Sequence, residues 1–293
     1  MSLCYLCPRK CGADRENGIL GYCSKSNNLT VSRASLHMWE EPCISGKRGS
    51  GTVFFSGCNL KCVYCQNRSI SLNASGKEIT VERLAEIFLE LQHKGAHNIN
   101  LVTGTHFADK IIEAVSLSKE NGLILPVVYN SSGYESVETL RALERVIDIY
   151  LPDFKYFDSA LAEKYSKAFD YPEVTARALD EMVRQKDLVF DEDGMMKQGV
   201  LVRHLCLPGY IENSKNILKY LHENFGDRII ISIMNQFTPI NLDNFPEINR
   251  KVTEDEYELI VSYAVSIGID NAYIQEGETV SESFIPPFDS RGI

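Results

Sequence analysis

Cysteines are the residues of this chain whose number and spacing point to chemistry. The sequence of 293 residues has nine of them, and eight lie before Asn67. An odd number of cysteines cannot be fully paired in disulfides, and a reducing compartment keeps thiols free in any case. Because clustered free thiols are typical of metal sites, the first quarter of the chain is predicted to carry inorganic chemistry.

The densest cysteine group is the loop Cys58-x3-Cys62-x2-Cys65. Three thiolates on one short loop can hold three irons of a cubane iron-sulfur cluster. Four protein thiolates normally complete such a cluster, so this loop would leave one iron open to another ligand. The alternative is a zinc knuckle with a remote fourth ligand, for which the nearest histidines in sequence are His37 and His93.

A second group, Cys4-x2-Cys7-x3-Cys11-x11-Cys23, also has the spacing of a metal site. Prolines and glycines between these cysteines favour tight turns that let the thiolates converge. The spacing predicts a second metal centre and is compatible with structural zinc or with a second iron-sulfur cluster. Reduced thiols without metal are the remaining alternative.

The elements that must position these cysteines follow from the pattern of apolar residues. From Thr52 onward, short apolar runs alternate with helical patterns, as in βα units around a parallel sheet. The predicted strands are 52–57, 98–103, 125–130, 146–151, 200–205 and 229–234. Helices are predicted to begin after Thr80 and near Ala108, Glu135, Ser159, Pro172, Asn213 and Thr253. Asp193-Gly194 predicts a hairpin before the fifth strand.

Six βα units are fewer than the eight of a closed barrel, so the predicted fold is α/β with a partial, open (βα)6 barrel. Residues 1–50 are predicted to form a small cysteine-rich, metal-binding appendage with a linker, and residues 51–293 the barrel. The linker is placed at Ser45 to Gly51. Because loops at the carboxyl ends of the strands build the active site of such barrels, polar residues in those loops are the candidates for function.

Composition excludes several classes of protein. Hydrophobic residues make up 44% of the chain and charged residues 24%, which is ordinary for a folded globular protein and argues against disorder. The net charge of −10 repels phosphate backbones, so no nucleic-acid partner is expected. The sequence has neither a long apolar run nor a signal-peptide pattern, so we expect a cytoplasmic protein that does not enter the membrane.

The three-cysteine loop after the first strand of a six-unit barrel resembles the motif of the radical S-adenosylmethionine (SAM) superfamily. The sequence around this loop resembles an uncharacterised group related to pyruvate formate-lyase activating enzyme, and the resemblance extends over essentially the whole chain. The matching segments include GSGTVFFSGCNLKCVYCQN, VTGTHF, YLPDFKY and VRHLCLPG. In that superfamily the open iron binds the amino and carboxylate groups of SAM. An electron from the reduced 4Fe-4S cluster then cleaves the C–S bond, and a 5'-deoxyadenosyl radical abstracts hydrogen.

The resemblance implies a role for each matching residue. Cys58, Cys62 and Cys65 would be the catalytic cluster ligands, and Tyr64 would lie against the adenine of SAM. The other implied cofactor contacts are Thr103, Gly104, Thr105, His106, Asn130, Ser132, Asp153, Lys155 and Arg203.

One of these assignments departs from the superfamily pattern, and another stays open. The segment Thr103 to His106 stands where the superfamily usually has Gly-Gly-Glu beside the SAM amino group, so a carboxylate is missing there. Arg203 matches the position that meets the SAM carboxylate, but alternation along the strand leaves open whether Arg203 or His204 points inward.

The resemblance implies an enzyme that activates a glycyl radical enzyme by hydrogen abstraction, with flavodoxin or ferredoxin as electron donor. A first alternative is a radical SAM enzyme that acts on a small molecule or on another protein side chain. A second alternative is a non-catalytic zinc or iron-sulfur protein, in which the cysteine clusters stabilise the structure or transfer electrons. Charges at strand ends, namely Asp153, Lys155 and Arg203, favour the enzyme, since a purely structural cluster would not need them.

Overall fold

The computed structural model describes residues 3–275 and 286–293. Ten strands in this part of the chain form one sheet: β1 (Thr30–His37), β2 (Ser50–Phe55), β3 (Lys77–Glu78), β4 (Ile99–Val102), β5 (Val127–Ser131), β6 (Ile149–Pro152), β7 (Val189–Phe190), β8 (Met196–Leu205), β9 (Ile230–Met234) and β10 (Ala272–Ile274). The helices are α1 (Pro42–Ser45), α2 (Arg68–Ser71), α3 (Val81–His93), α4 (Ala108–Glu120), α5 (Val137–Leu143), α6 (Ser159–Ser166), α7 (Tyr171–Gln185), α8 (Ile211–Phe225) and α9 (Glu254–Ser266).

The sheet is an open, mostly parallel barrel wall. Its strand order is β10-β9-β8-β6-β5-β4-β2-β1-β3, and β7 forms a hairpin with β8. Strands β2, β4, β5, β6, β8, β9 and β10 run parallel, whereas β1 is antiparallel to β2. No pairing between β10 and β3 closes the sheet in the described residues. The predicted partial, open α/β barrel is therefore confirmed.

The six predicted strands are β2, β4, β5, β6, β8 and β9, and the predicted hairpin joins β7 to β8. Strands β1, β3 and β10 were not predicted. The sequence of β1, TVSRASLH, lacks the apolar run expected of a buried strand, although Ser32 and Arg33 are buried in the structure. Because β1 belongs to the sheet, the barrel wall begins before residue 50; the predicted division of the chain at that residue stays a prediction.

The predicted helices are present and begin as expected. The Thr80 hydroxyl accepts a hydrogen bond from the Arg83 amide, which caps α3, and Thr253 forms a reciprocal capping box with Glu256 at the start of α9. The apolar face of α3 is buried against the sheet. No described helix is long and apolar enough to cross a membrane.

The connection between β1 and β2, residues 38–49, is here named the connector. It contains α1, and the side chains of Cys43 and Ile44 pack against a cluster of strand residues: Val128, Ile149, Leu151, Met196, Leu201 and Ile230. The Asn98 amide also donates to the Ile44 carbonyl at 2.8 Å. Since β1 and β2 are antiparallel, the connector lies at the amino end of β2 and plugs that end of the barrel.

The predicted linker at Ser45 to Gly51 is wrong. Ser45 is the last residue of α1, and Ser50 and Gly51 already belong to β2, where both are buried. A Cβ at Gly51 would lie 2.9 Å from the Asn98 carbonyl oxygen, so the glycine here permits close strand packing. The glycines in this segment were read as flexibility, whereas tertiary packing requires one of them.

Candidate active site

A cavity of about 440 Å³ lies inside the barrel wall. It is lined by residues from the loop after β2, from the carboxyl ends of the parallel strands and from the connector. Those that carry reactive or charged groups are Cys58, Cys62, Cys65, Asp153, Lys155, Arg203, Glu40, Glu41 and His37. The fold thus brings the three-cysteine loop and the predicted strand-end charges to one place.

The three thiols of the loop are largely enclosed, with Cys58 8% and Cys62 7% exposed. Each sulfur accepts one hydrogen bond from the protein. The donors are the Leu60 amide to Cys58 at 3.3 Å, the Ser166 hydroxyl to Cys62 at 3.1 Å and the Ser71 hydroxyl to Cys65 at 3.3 Å. Such bonds hold the sulfurs in place and stabilise thiolate character.

Burial raises the pKa of all three loop thiols above the ordinary cysteine value, and the neighbouring thiols raise it further. Lys155 and the hydrogen bonds to the sulfurs act in the opposite direction. A bound metal centre would be the group that deprotonates these thiols, because coordination outweighs burial.

The donor set fits a 4Fe-4S cluster bound through three thiolates. Three cysteines of one loop line one cavity, their sulfurs accept hydrogen bonds, and the described lining contains no fourth cysteine. No three His, Cys, Asp or Glu side chains within residues 3–275 and 286–293 are arranged to hold a single metal ion.

Arg203 is the centre of the charged network in the cavity. Its guanidinium contacts Asp153 Oδ1 at 3.0 Å, Glu40 Oε2 at 3.1 Å and Asn130 Oδ1 at 2.6 Å. Lys155 Nζ contacts the other Asp153 oxygen at 2.5 Å. Burial alone would raise the pKa of Asp153, but Lys155 and Arg203 lower it below its ordinary value. The carboxylate is therefore ionised and held between two cations.

The structure places Arg203, and not His204, at the cavity. His204 follows on the same strand and so points to the opposite face, where its Nδ1 lies 2.8 Å from the Phe154 carbonyl oxygen. Burial lowers the pKa of His204 to about 4.

Tyr64 also lines the cavity, between the second and third cysteines of the loop. Its hydroxyl lies 2.7 Å from the Tyr156 hydroxyl, and its ring packs 5.5 Å from that of Phe237. Tyr64 is therefore held in one orientation beside the cysteines. The predicted contact with adenine stays a prediction.

The predicted residues after β4 divide into two groups. Thr103 lines the cavity, whereas Gly104, Thr105 and His106 do not. The Thr105 hydroxyl donates to buried Glu135 at 2.7 Å, and His106 Nε2 lies 2.7 Å from the Ser56 carbonyl oxygen. The geometry does not support the cofactor contacts predicted for these three residues, because the chain turns into a short 3-10 helix directly after Thr103.

The predicted residues after β5 both line the cavity. Asn130 is tied to Arg203 and to Glu40, whereas the buried Ser132 hydroxyl has no hydrogen-bond partner in the described residues. Ser132 is therefore free to contact a bound molecule.

Sequence reasoning missed Glu40 and Glu41, which the connector inserts into the cavity. Glu40 Oε1 accepts from the Asn100 amide at 2.9 Å, in addition to its ion pair with Arg203. The signal that could have found them is two consecutive acids directly before the apolar Pro-Cys-Ile run. Acids beside buried residues are themselves buried only when they are paired or when they belong to a functional site.

The amino-terminal cysteines lie next to the cysteine loop, and Cys4 lines a surface pocket together with residues of α4 and α5. The Cys23 carbonyl accepts from the Cys58 amide at 3.3 Å. A Cβ at Gly57, whose φ is +86°, would lie 2.5 Å from that carbonyl oxygen, so only glycine permits this close approach. The sulfurs of Cys11 and Cys23 both lie beside Gly21, each 3.4 Å from where a Cβ on that glycine would be.

Arg9 ties this amino-terminal segment to the cysteine loop. Its guanidinium donates to the Asn59 carbonyl at 2.8 Å, to the Leu60 carbonyl at 3.3 Å and to the Ser166 carbonyl at 3.0 Å; it also donates to the Lys167 carbonyl. Since the Ser166 hydroxyl contacts Cys62, one arginine supports both the loop and a hydrogen-bond donor to its sulfur.

Comparison with known proteins agrees with this geometry. Residues 52–252 match the family model described as the Radical SAM superfamily. An uncharacterized protein of Methanocaldococcus jannaschii is 31% identical over 283 residues, which cover 92% of this chain and 76% of the relative. The pyruvate formate-lyase-activating enzyme of Clostridium pasteurianum is 25% identical over 175 residues, which cover 57% of this chain and 66% of the relative.

A solved structure supports the fold. A radical SAM methyltransferase from Sphaerobacter thermophilus superposes with a TM-score of 0.55 at 13% identity, over 78% of this chain and 67% of that one. At this identity the likeness concerns the architecture alone. With the match of the family model over most of the barrel, the chain belongs to the radical SAM superfamily.

Proposed function

We propose that this chain binds a 4Fe-4S cluster through Cys58, Cys62 and Cys65 and cleaves SAM reductively. The observation that carries the proposal is the meeting of these three thiols, each accepting a hydrogen bond, with the Asp153, Lys155 and Arg203 charges in one cavity. When bound, the cluster and SAM would supply one-electron cleavage and a radical that abstracts hydrogen from a substrate.

The chain's own residues have separate tasks in this proposal. The cysteine loop holds the cluster, and hydrogen bonds from Ser71 and Ser166 fix two of its sulfurs. Arg203 offers a guanidinium that suits a carboxylate, and Asp153 keeps that guanidinium oriented. Tyr64 supplies an apolar wall beside the cysteines.

The proposed substrate is a glycine residue of a glycyl radical enzyme. Two features support this choice: the similarity to a relative named pyruvate formate-lyase-activating enzyme, and the open side of the sheet. A polypeptide loop needs a lateral opening to reach a buried cavity, and among the described residues no strand pairs with the outer edge of β10. The proposal includes a cytoplasmic setting, with flavodoxin or ferredoxin as the electron donor.

The Cys4, Cys7, Cys11 and Cys23 group is proposed to bind a second metal, either zinc or an iron-sulfur cluster. Its support is the spacing together with the proximity of the Cys11 and Cys23 sulfurs to Gly21; in the described residues no three of the four thiols surround one metal position, so metal binding would have to draw them together. The second centre would be structural or would relay electrons, and metal analysis separates zinc from iron.

Anaerobic reconstitution with iron and sulfide, followed by dithionite and SAM, tests the reaction. The proposal predicts 5'-deoxyadenosine by chromatography and no product without reductant. A candidate glycyl radical enzyme added to the mixture should then give a glycine-centred radical by electron paramagnetic resonance. Product without radical transfer to any such protein would reject the glycyl target while leaving the SAM chemistry intact; a cluster-loaded protein that forms no product would reject both.

A further inference from the structure

Glu41 differs from every other charged residue in the cavity because part of its carboxylate has no partner. The residue is 9% exposed, and among the described residues no hydrogen-bond partner reaches its Oε2 atom. Ser232 lies beside the Glu41 side chain, on the β9 side of the cavity. A buried polar atom without a partner costs free energy, so such an atom at a cavity calls for a ligand.

The charges in the cavity indicate what kind of ligand that is. Three carboxylates line it, from Glu40, Glu41 and Asp153, against two cations, from Lys155 and Arg203. His37 also lines it, but burial lowers the pKa of that imidazole to about 4, which makes it neutral. The two cations are both engaged with Asp153, and Arg203 also holds Glu40. With all three carboxylates ionised, the described lining would carry one negative charge in excess, although burial raises the pKa of both Glu40 and Glu41. Glu41 is the acid that has no ion pair among the described residues.

Protonation would not resolve the mismatch. Burial raises the pKa of Glu41, which favours a neutral carboxyl group. A neutral carboxyl can carry its proton on the other oxygen, but Oε2 is then a carbonyl oxygen that still has no hydrogen-bond donor among the described residues. A cationic donor from a ligand satisfies the hydrogen bond and the charge together.

We propose that Glu41 anchors a binding subsite for a cationic nitrogen, an ammonium or guanidinium group, in the cavity next to Ser232. This deepens the proposed function. The nitrogen has two sources: the amino group of SAM itself, or an amino or guanidino group on the molecule that SAM acts upon. Either source would bind through the Glu41 carboxylate. The two sources are distinguished below by titration with SAM and its analogue and by titration with a small ammonium compound.

The first arm of the test measures SAM affinity by isothermal titration in the anaerobically reconstituted protein. Wild type, Glu41→Gln and Glu113→Gln are titrated with SAM and with its desamino analogue; Glu113 is an exposed acid on α4 and serves as the matched control. If SAM supplies the nitrogen, Glu41→Gln weakens SAM binding about tenfold and leaves the analogue unchanged. The control variant should match wild type with both probes.

The second arm uses n-butylammonium and n-butanol, which have equal chain length and differ in charge, with SAM present. If the nitrogen comes from another molecule, wild type prefers n-butylammonium by at least tenfold and Glu41→Gln loses that preference. The wild-type comparison needs no variant, so poor folding of Glu41→Gln would not obscure the result.

The subsite is overturned if Glu41→Gln binds SAM with wild-type affinity and, in addition, wild type shows no preference for n-butylammonium over n-butanol or the variant keeps that preference unchanged. A wild-type protein that fails to cleave SAM would reject the proposed function alone, because the butyl probes report on Glu41 independently of that reaction.

Discussion

The two cysteine groups of this protein have similar spacing and different surroundings. Cys58, Cys62 and Cys65 line an internal cavity, and each sulfur accepts a hydrogen bond. In the amino-terminal group Cys11 is exposed, whereas Cys7 is buried, and burial raises its pKa to about 12. The cysteines of the two groups meet through one backbone hydrogen bond, from the Cys58 amide to the Cys23 carbonyl, and the Arg9 side chain links the segments around them.

The difference shows what spacing can and cannot reveal. Spacing identifies thiols that can converge on a metal, and it does so equally well for both groups. A reaction also needs a cavity and oriented charges, and only the loop shares its cavity with the Arg203 network. We therefore expect the loop to carry the chemistry and the amino-terminal group to support it.

The largest effect is expected from the loop cysteines. Changing Cys58, Cys62 or Cys65 to Ala should abolish 5'-deoxyadenosine formation, because the loop has no spare thiol. Chromatography after reduction with dithionite measures the product. The control is Cys206→Ala, a buried cysteine that does not line the cavity and should retain activity. Full product yield from any loop variant would refute the ligand assignment.

Arg203→Ala should have the next largest effect. It leaves buried Glu40 and Asp153 without their shared cation, and we expect a loss of about 3 kcal/mol in the free energy of unfolding. SAM binding should weaken in the same variant while iron content stays normal. Urea unfolding and titration calorimetry measure the two effects.

A matched control for this variant is Arg184→Ala, which removes an arginine that also pairs with two carboxylates, from Glu144 and Glu181, but is half exposed. Because the Arg184 guanidinium is exposed to solvent, its loss should lower the free energy of unfolding clearly less than the loss of Arg203 does. If both arginine variants lost the same free energy of unfolding, the cavity network would contribute no more to stability than an exposed ion-pair network.

Arg9→Met tests the link between the two cysteine groups. Methionine keeps an unbranched apolar stem and removes the donors to four carbonyl groups, so we expect a loss of about 2 kcal/mol in unfolding free energy. The reconstituted cluster should also be lost faster to an iron chelator. Arg177→Met, on the exposed side of α7, is the control. Unchanged cluster loss would show that the loop holds its shape without Arg9.

The smallest effect on SAM cleavage is expected from replacing Cys4, Cys7, Cys11 and Cys23 together by serine. The variant should lose one metal centre while the barrel cluster still cleaves SAM. Metal analysis identifies the lost centre as zinc or iron. Metal content equal to wild type would reject the second site, and retained metal with abolished cleavage would mean that this segment shapes the active site.

Sequence reasoning went furthest where the pattern is local. Apolar runs predicted six strands, and Thr80 and Thr253 marked helix starts, because capping and periodicity depend on neighbouring residues. The cysteine loop and Arg203 were predicted at the cavity because strand ends meet there in any such barrel.

The connector was beyond sequence reasoning because its role depends on long-range packing. Cys43 and Ile44 fill the barrel end only once the strands are assembled, and Glu40 reaches Arg203 across 163 positions of sequence. The contact between Thr105 and Glu135 is likewise formed only in the folded protein, and it holds the Thr105 side chain away from the cavity lining. No local pattern specifies such pairs.

The electron paramagnetic resonance spectrum of the dithionite-reduced protein, before and after SAM is added, tests the central claim most directly. Because the loop supplies three thiolates, we predict a reduced 4Fe-4S signal that changes when SAM binds and that is missing from Cys62→Ala. An iron-sulfur signal that SAM leaves unchanged, or one that survives in Cys62→Ala, would contradict the assignment of this cavity as a radical SAM active site.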